Sequence, residues 1–122
     1  MIAGIGVDIV EIDRIASALE RYGDAFASKL FTEQEISYCR AKALPAQHFA
    51  ARFAAKEAFS KAIATGWSGT FHWKDVEVVN DEFGKPCVNV YGDTARRIGS
   101  AAVSLSLSHT GTNAVAFVVI ES

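Results

Sequence analysis

The sequence predicts an α+β domain, with helices gathered in its first half and antiparallel hairpins in its second. Three stretches carry that expectation. Residues 47–63 are Ala-rich, hold no Gly or Pro, and place aromatics at Phe49, Phe53 and Phe59, which predicts a long helix. Residues 103–108, Val-Ser-Leu-Ser-Leu-Ser, alternate strictly with the period of a strand. Residues 114–120 form a nearly continuous apolar run, and the short polar link between these two stretches makes them a hairpin.

The 122 residues suit a single domain, 1–122, with one modest core. Half the residues are apolar and 21% are charged, a globular composition rather than a disordered one. A net charge of −2 gives no global pull towards nucleic acid, so any anion site must be local. No apolar run approaches the roughly 20 residues that a membrane span needs. Cys39 and Cys87 form no CxxC pair and no signal peptide precedes the first strand, so a reduced, cytoplasmic protein is expected.

In chain order, residues 2–8 read as a strand ending in a carboxylate, Asp8. Gly4 and Gly6 lie on one side of it, which invites close packing against a helix. Asp8 reads either as a helix-start or surface acid, or as a metal or catalytic carboxylate. Residues 11–22 read as an amphipathic helix with an apolar stripe of Ile12, Ile15, Leu19 and Tyr22, stopped by Gly23. Arg14 and Arg21 stand two turns apart on another face, as solvated surface or as a docking face for an acidic partner. Residues 24–31 predict a short helix or turn. Thr32 and Glu35 match a capping box opening a helix to about Lys42, with Ile36, Cys39 and Tyr38 as inward candidates.

Pro45 suits the first turn of the long helix, and the helix is expected to reach about Thr65, where Gly66 stops it. His48 reads as a surface or packing residue. Residues 73–80 and 87–91 predict a second hairpin about the turn 81–86, and Gly92-Asp93 is expected to cap a short helix through Ile98.

Several chemistries are excluded by missing motifs. There is no HExxH and no Cys/His cluster for zinc, no GxxxxGK[ST] or GxGxxG for a nucleotide, and no Gly-x-Ser-x-Gly elbow around Ser108. Oxygen ligands and cations remain. Asp8 and Glu57 suit one hard ion such as Mg²⁺, which takes one or two carboxylates with waters and phosphate oxygens. Lys61, one turn beyond Glu57, would reach the same phosphate, and Arg52, Lys56 and His109 are further anion contacts. The plainer reading of Glu57 and Lys61 is a helix-surface ion pair. A non-catalytic anion-binding module and a different magnesium phosphotransferase also remain open from the residues alone.

Gly4-Ile-Gly-Val-Asp8-Ile-Val-Glu-Ile12, Phe53-Ala-Ala-Lys56-Glu57-Ala-Phe-Ser-Lys61-Ala62 and Ser106-Leu-Ser108-His109-Thr110, in that order and at those separations, resemble the holo-(acyl-carrier-protein) synthase family. These are small bacterial 4′-phosphopantetheinyl transferases of fatty-acid synthesis. The resemblance covers essentially the whole chain. Where relatives often carry Gly-Thr-Gly after the long helix, this chain has Ala64-Thr65-Gly66, followed by Trp67.

The resemblance implies an antiparallel sheet packed on a long central helix. It also implies transfer of phosphopantetheine from coenzyme A to a serine of apo-acyl-carrier protein, releasing adenosine 3′,5′-bisphosphate. Asp8 and Glu57 would hold Mg²⁺, and Lys61 would stabilise or protonate the leaving phosphate. Glu57, directly or through a metal-bound water, is the candidate base. Arg52, Lys61, Gly66, His109 and Thr110 are the candidate coenzyme A contacts. Arg14 and Arg21 match the basic face that meets the carrier protein, and Asp24 stands where a third basic residue is often found. Homotrimers with active sites between subunits are implied as well.

Overall fold

The structure is a computed structural model that describes residues 1–63 and 71–122. Its element order is β1 (Ile2–Glu11), α1 (Ile12–Leu30), α2 (Glu33–Arg40), α3 (Pro45–Ile63), β2 (Val76–Asn80), β3 (Pro86–Val90), α4 (Gly92–Ile98), β4 (Ala102–His109) and β5 (Asn113–Glu121), with a 3₁₀ turn at Trp73–Asp75. Strands β1, β5 and β4 form an antiparallel sheet in that order, and β2 and β3 form a separate hairpin. The expected α+β class with an antiparallel sheet on a long helix is observed.

Alternation explains how the sheet meets α3. Gly4, Gly6, Asp8 and Val10 pair with Ile120, Val118, Ala116 and Ala114 of β5. Those four β5 residues are all buried, as are Ala54, Ala55, Ala58, Phe59 and Ala62 of α3. The glycines let strand and helix backbones touch. A Cβ on Gly4 would sit 2.0 Å from the Ala62 carbonyl oxygen, and one on Gly6 would sit 1.9 Å from that of Ala58. The small-residue face of α3 and the glycines of β1 are two halves of one contact.

Several expectations need correcting. β1 continues past Asp8 to Glu11, and α1 starts only at Ile12. Gly23 does not end α1. It adopts φ 57° and ψ −134°, kinks the helix and lets it resume to Leu30. Tyr22, expected in the apolar stripe, is 58% exposed. Residue 93 does not cap α4. Its N-cap is Tyr91, while the Asp75 carboxylate accepts from the Thr94 amide and hydroxyl, and Asp93 pairs with Arg96 and Arg97. The predicted end of the long helix at Thr65–Gly66 and its loop lie outside the described residues.

The capping box of α2 is present, and it does more than cap. The Glu35 carboxylate accepts from the Thr32 amide and, across the fold, from the Val78 amide. It also pairs with Lys56 at 2.8 Å, both side chains wholly buried. The Lys56 ammonium donates further to the carbonyls of Trp73 and Val76. Lys56 is therefore a structural tie between α2, α3 and the β2 hairpin, not the anion contact that its spacing suggested. Glu77 is also buried and accepts from the Thr32 and Tyr91 hydroxyls.

Candidate active site

The site builds outward from the β1–α3 contact. The even face of β1 that lays its glycines on α3 carries Asp8 next, beside the last turns of the helix. Glu57 and Lys61, one turn apart on α3, face that strand. The Lys61 ammonium lies 3.0 Å from Asp8 Oδ1 and donates to the Val7 carbonyl at 3.1 Å. Asp8 and Glu57 both line one pocket, with Arg14, Ile15 and Ala18 of α1, Phe26 beyond the kink, and Phe53. Burial pushes the Glu57 carboxyl above its ordinary range, the Asp8 charge pushes it the same way, and Lys61 opposes both.

Two carboxylates on one pocket wall, the Asp8 charge disfavouring that of Glu57, form a donor set suited to a hard cation. Among the described residues no third His, Cys, Asp or Glu joins them. The pair fits magnesium, which needs one or two carboxylates and takes its other oxygens from water and phosphate.

A second cluster stands elsewhere on the helix. Arg52 precedes Glu57 by five residues, which puts it about 140° away around α3. Its side chain is 3% exposed, its Nη2 donates to Asn80 Oδ1, and its guanidinium lies 4.1 Å from the Tyr38 ring centre. Its Nε is buried with no hydrogen-bond partner among the described residues. Arg52 lines a pocket with His48, Asn80, Ser108 and His109. Thr110 is outside that lining. Its hydroxyl accepts from the Thr112 and Asn113 amides, so it shapes the β4–β5 turn. Gly66 lies outside the described residues.

The structure thus joins Asp8, Glu57, Lys61 and Arg14, and separately Arg52 and His109. Among the described residues the two groups line different pockets. Arg21 is exposed on α1, its guanidinium 5.8 Å from the Tyr22 ring centre. Sequence reasoning missed His48, Asn80 and the apolar wall of Ile15, Phe26 and Phe53. For His48 a signal existed, since it stands one turn before Arg52 on the same face.

Residues 4–118 match the model of a family described as the 4′-phosphopantetheinyl transferase superfamily. The chain belongs to that superfamily. This phosphopantetheinyl transferase is 50% identical over 124 residues to the holo-[acyl-carrier-protein] synthase of Geobacter sp. (strain M21), covering 99% of both chains. Among solved structures, it resembles the holo-[acyl-carrier-protein] synthase of Neisseria meningitidis, with a TM-score of 0.86, 38% identity and full coverage of both chains. It also resembles the holo-(acyl-carrier-protein) synthase of Bacillus anthracis in complex with CoA (3′,5′-ADP). There the TM-score is 0.81 at 38% identity, over 100% of this chain and 98% of that one.

Proposed function

We propose that this chain, acting as a single domain over residues 1–122, transfers the 4′-phosphopantetheine group of coenzyme A to a serine hydroxyl of apo-acyl-carrier protein. The products are holo-acyl-carrier protein and adenosine 3′,5′-bisphosphate, and the reaction serves fatty-acid synthesis in the cytoplasm. The observation that carries the reading is the convergence of Asp8 and Glu57 on one pocket with Lys61 3.0 Å from Asp8, in a chain of this superfamily.

Asp8 and Glu57 would hold Mg²⁺ beside the coenzyme A diphosphate. When bound, the ion supplies positive charge that neutralises the diphosphate oxygens as the bridging bond breaks. The serine Oγ bonds to the phosphorus that carries pantetheine. The bond from that phosphorus to the bridging oxygen breaks, and its electron pair leaves on adenosine 3′,5′-bisphosphate. The serine proton passes to Glu57, directly or through a water that Glu57 orders. The raised Glu57 carboxyl favours this task, while a nearby dication weakens any carboxylate base. The Lys61 ammonium, half exposed beside Asp8, neutralises or protonates the departing phosphate.

Arg52 and His109, with Thr110 and Gly66, bind other parts of coenzyme A in this reading. Their separation from Asp8 within one chain is met if the chain is a homotrimer whose sites lie between subunits. The outer face of the sheet supports that assembly. Ile5, Val7 and Ile9 of β1 are 58%, 53% and 67% exposed, and Phe117 of β5, paired with Val7, is 44% exposed. An apolar sheet face of this kind is a subunit-contact surface in a stable protein. Arg14, on the rim of the Asp8 pocket, and Arg21, exposed further along α1, would steer the acidic carrier protein.

The test mixes the protein with coenzyme A, Mg²⁺ and apo-acyl-carrier protein and weighs the carrier by mass spectrometry. The carrier gains one phosphopantetheine mass if the reading holds. An unchanged mass, where a known transferase modifies the same carrier, would sink it.

A further inference from the structure

The pocket around Arg52 holds an imidazole that the sequence reading left aside. His48 stands one turn before Arg52 on α3, and both line a pocket of about 200 Å³ with His109 at the end of β4. Three basic side chains, one guanidinium and two imidazoles, therefore converge there, with the neutral amides of Gln47 and Asn80. Arg52 is buried and its Nε has no partner among the described residues, although its Nη2 is committed to Asn80. A buried guanidinium N–H left without an acceptor costs stability unless a ligand completes it. The missing partner must be an acceptor, and two nearby imidazoles make an anion the fitting one. No carboxylate lines the pocket.

Resting on the proposed coenzyme A reading, we propose that His48 is a binding residue for a phosphomonoester dianion, taking up a proton as the phosphate enters beside Arg52 and His109. Coenzyme A carries only one phosphate outside its scissile diphosphate, the ribose 3′-phosphomonoester. The diphosphate belongs with Asp8, Glu57 and Lys61, so the second cluster is left for the monoester.

The surroundings of His48 are those of a proton-linked contact. It is half-buried, with the Tyr38 ring of α2 edge-on at a centroid distance of 5.9 Å. Burial lowers its affinity for a proton, and the charges of Arg52 on α3, Lys42 after α2 and His109 on β4 lower it further. The β2–β3 hairpin adds only the neutral Asn80 and Pro86. Before the ligand enters, His48 is a neutral imidazole among cations. A dianion reverses the sign of the local field and favours the imidazolium. Binding therefore draws in a proton and weakens as pH rises through the range between the free and bound values of His48.

The test is titration calorimetry on the full chain with Mg²⁺ at pH 7, using adenosine 3′,5′-bisphosphate in two buffers of different ionisation enthalpy. The expected result is uptake larger by on the order of half a proton in wild type than in His48→Gln, with affinity about fivefold lower in the variant. Adenosine 5′-monophosphate, which lacks the 3′-phosphate, binds both proteins alike. Should His48→Gln fold poorly, the imidazole resonances of wild-type His48 decide instead, through a rise of about one pH unit in its titration midpoint on ligand binding. If Arg52→Ala weakens adenosine 3′,5′-bisphosphate while the His48 midpoint and the proton uptake stay unmoved, the inference is overturned and the coenzyme A reading stands. If wild type binds the bisphosphate no better than the monophosphate, the pocket is no phosphate site and the inference falls, while the carrier-mass assay decides the coenzyme A reading separately.

Discussion

Replacing Gly6 with Ala probes the contact that holds the site together. The new Cβ would lie 1.9 Å from the Ala58 carbonyl oxygen and 2.9 Å from the Ala62 nitrogen, both backbone atoms that cannot swing aside. Ordinary contact begins at 3.4 Å, so β1 and α3 must separate by about 1.5 Å at this point. Forced separation of a packed strand and helix belongs at the upper end of overpacking costs, about 3 kcal/mol, or roughly 12 °C in Tm for a chain of this length. Asp8 is two residues along the same strand, while Glu57 and Lys61 stay with the helix. A misplacement of order 1 Å between them should cost ~100-fold in turnover. Urea unfolding and the carrier-mass assay measure the two effects. Gly111→Ala, where a Cβ meets nothing within 4 Å, is the stability control. If Gly6→Ala unfolds within ~0.5 kcal/mol of wild type and turns over normally, the close-contact reasoning is wrong.

Other perturbations test separate parts of the account. Lys56→Met leaves the buried Glu35 carboxylate without its cation and should cost about 3–5 kcal/mol in urea unfolding; a loss under ~1 kcal/mol would mean that the tie between α2, α3 and the hairpin is not needed. Glu57 has its carboxyl raised by burial and by Asp8, so any stability it contributes is present below the unfolded value and lost as pH rises through the folded one. Metal-free Glu57→Gln should therefore be at least as stable as wild type at pH 8 while losing ~100-fold or more in turnover, and a less stable variant at that pH would contradict the assignment. Burial pushes the Cys39 thiol up to about 12, with Arg52 lowering it and Glu35 raising it, whereas Cys87 is half-buried. An alkylating reagent at pH 8 should label Cys87 alone in the native protein and both after unfolding, as peptide mass mapping would record.

The parts legible in the sequence share a local cause. Gly4 and Gly6 alternate with Asp8 on one strand face, and Ala54, Ala58 and Ala62 recur at helical spacing, so two short periodic patterns are enough to expect their contact and the acids beside it. Thr32 and Glu35 are three residues apart, and a cap is equally local. What was hidden is long-range. Glu35 reads as a cap and Lys56 as an anion contact, and no spacing announces that they meet across the fold. Ile5, Val7 and Ile9 are apolar, yet on β1 the glycine face turns inward and the aliphatic face outward, an orientation that hydropathy alone does not announce. Gly23 reads as a stop, but the apolar residues beyond it, Phe26, Ala27 and Leu30, still pack on the core and carry α1 past the kink. His48 was missed because its one-turn spacing to Arg52 marks a shared helix face but not the pocket that His109 joins from β4.

The account rests on Asp8 and Glu57 sharing one hard cation at the coenzyme A diphosphate. A crystal structure of the protein with coenzyme A and Mg²⁺ tests that directly. It should place the ion within about 2.1 Å of an oxygen from each carboxylate and of the diphosphate, with Lys61 on the phosphate side. An ion bound away from Asp8 and Glu57, or a diphosphate lying outside their pocket, would contradict it.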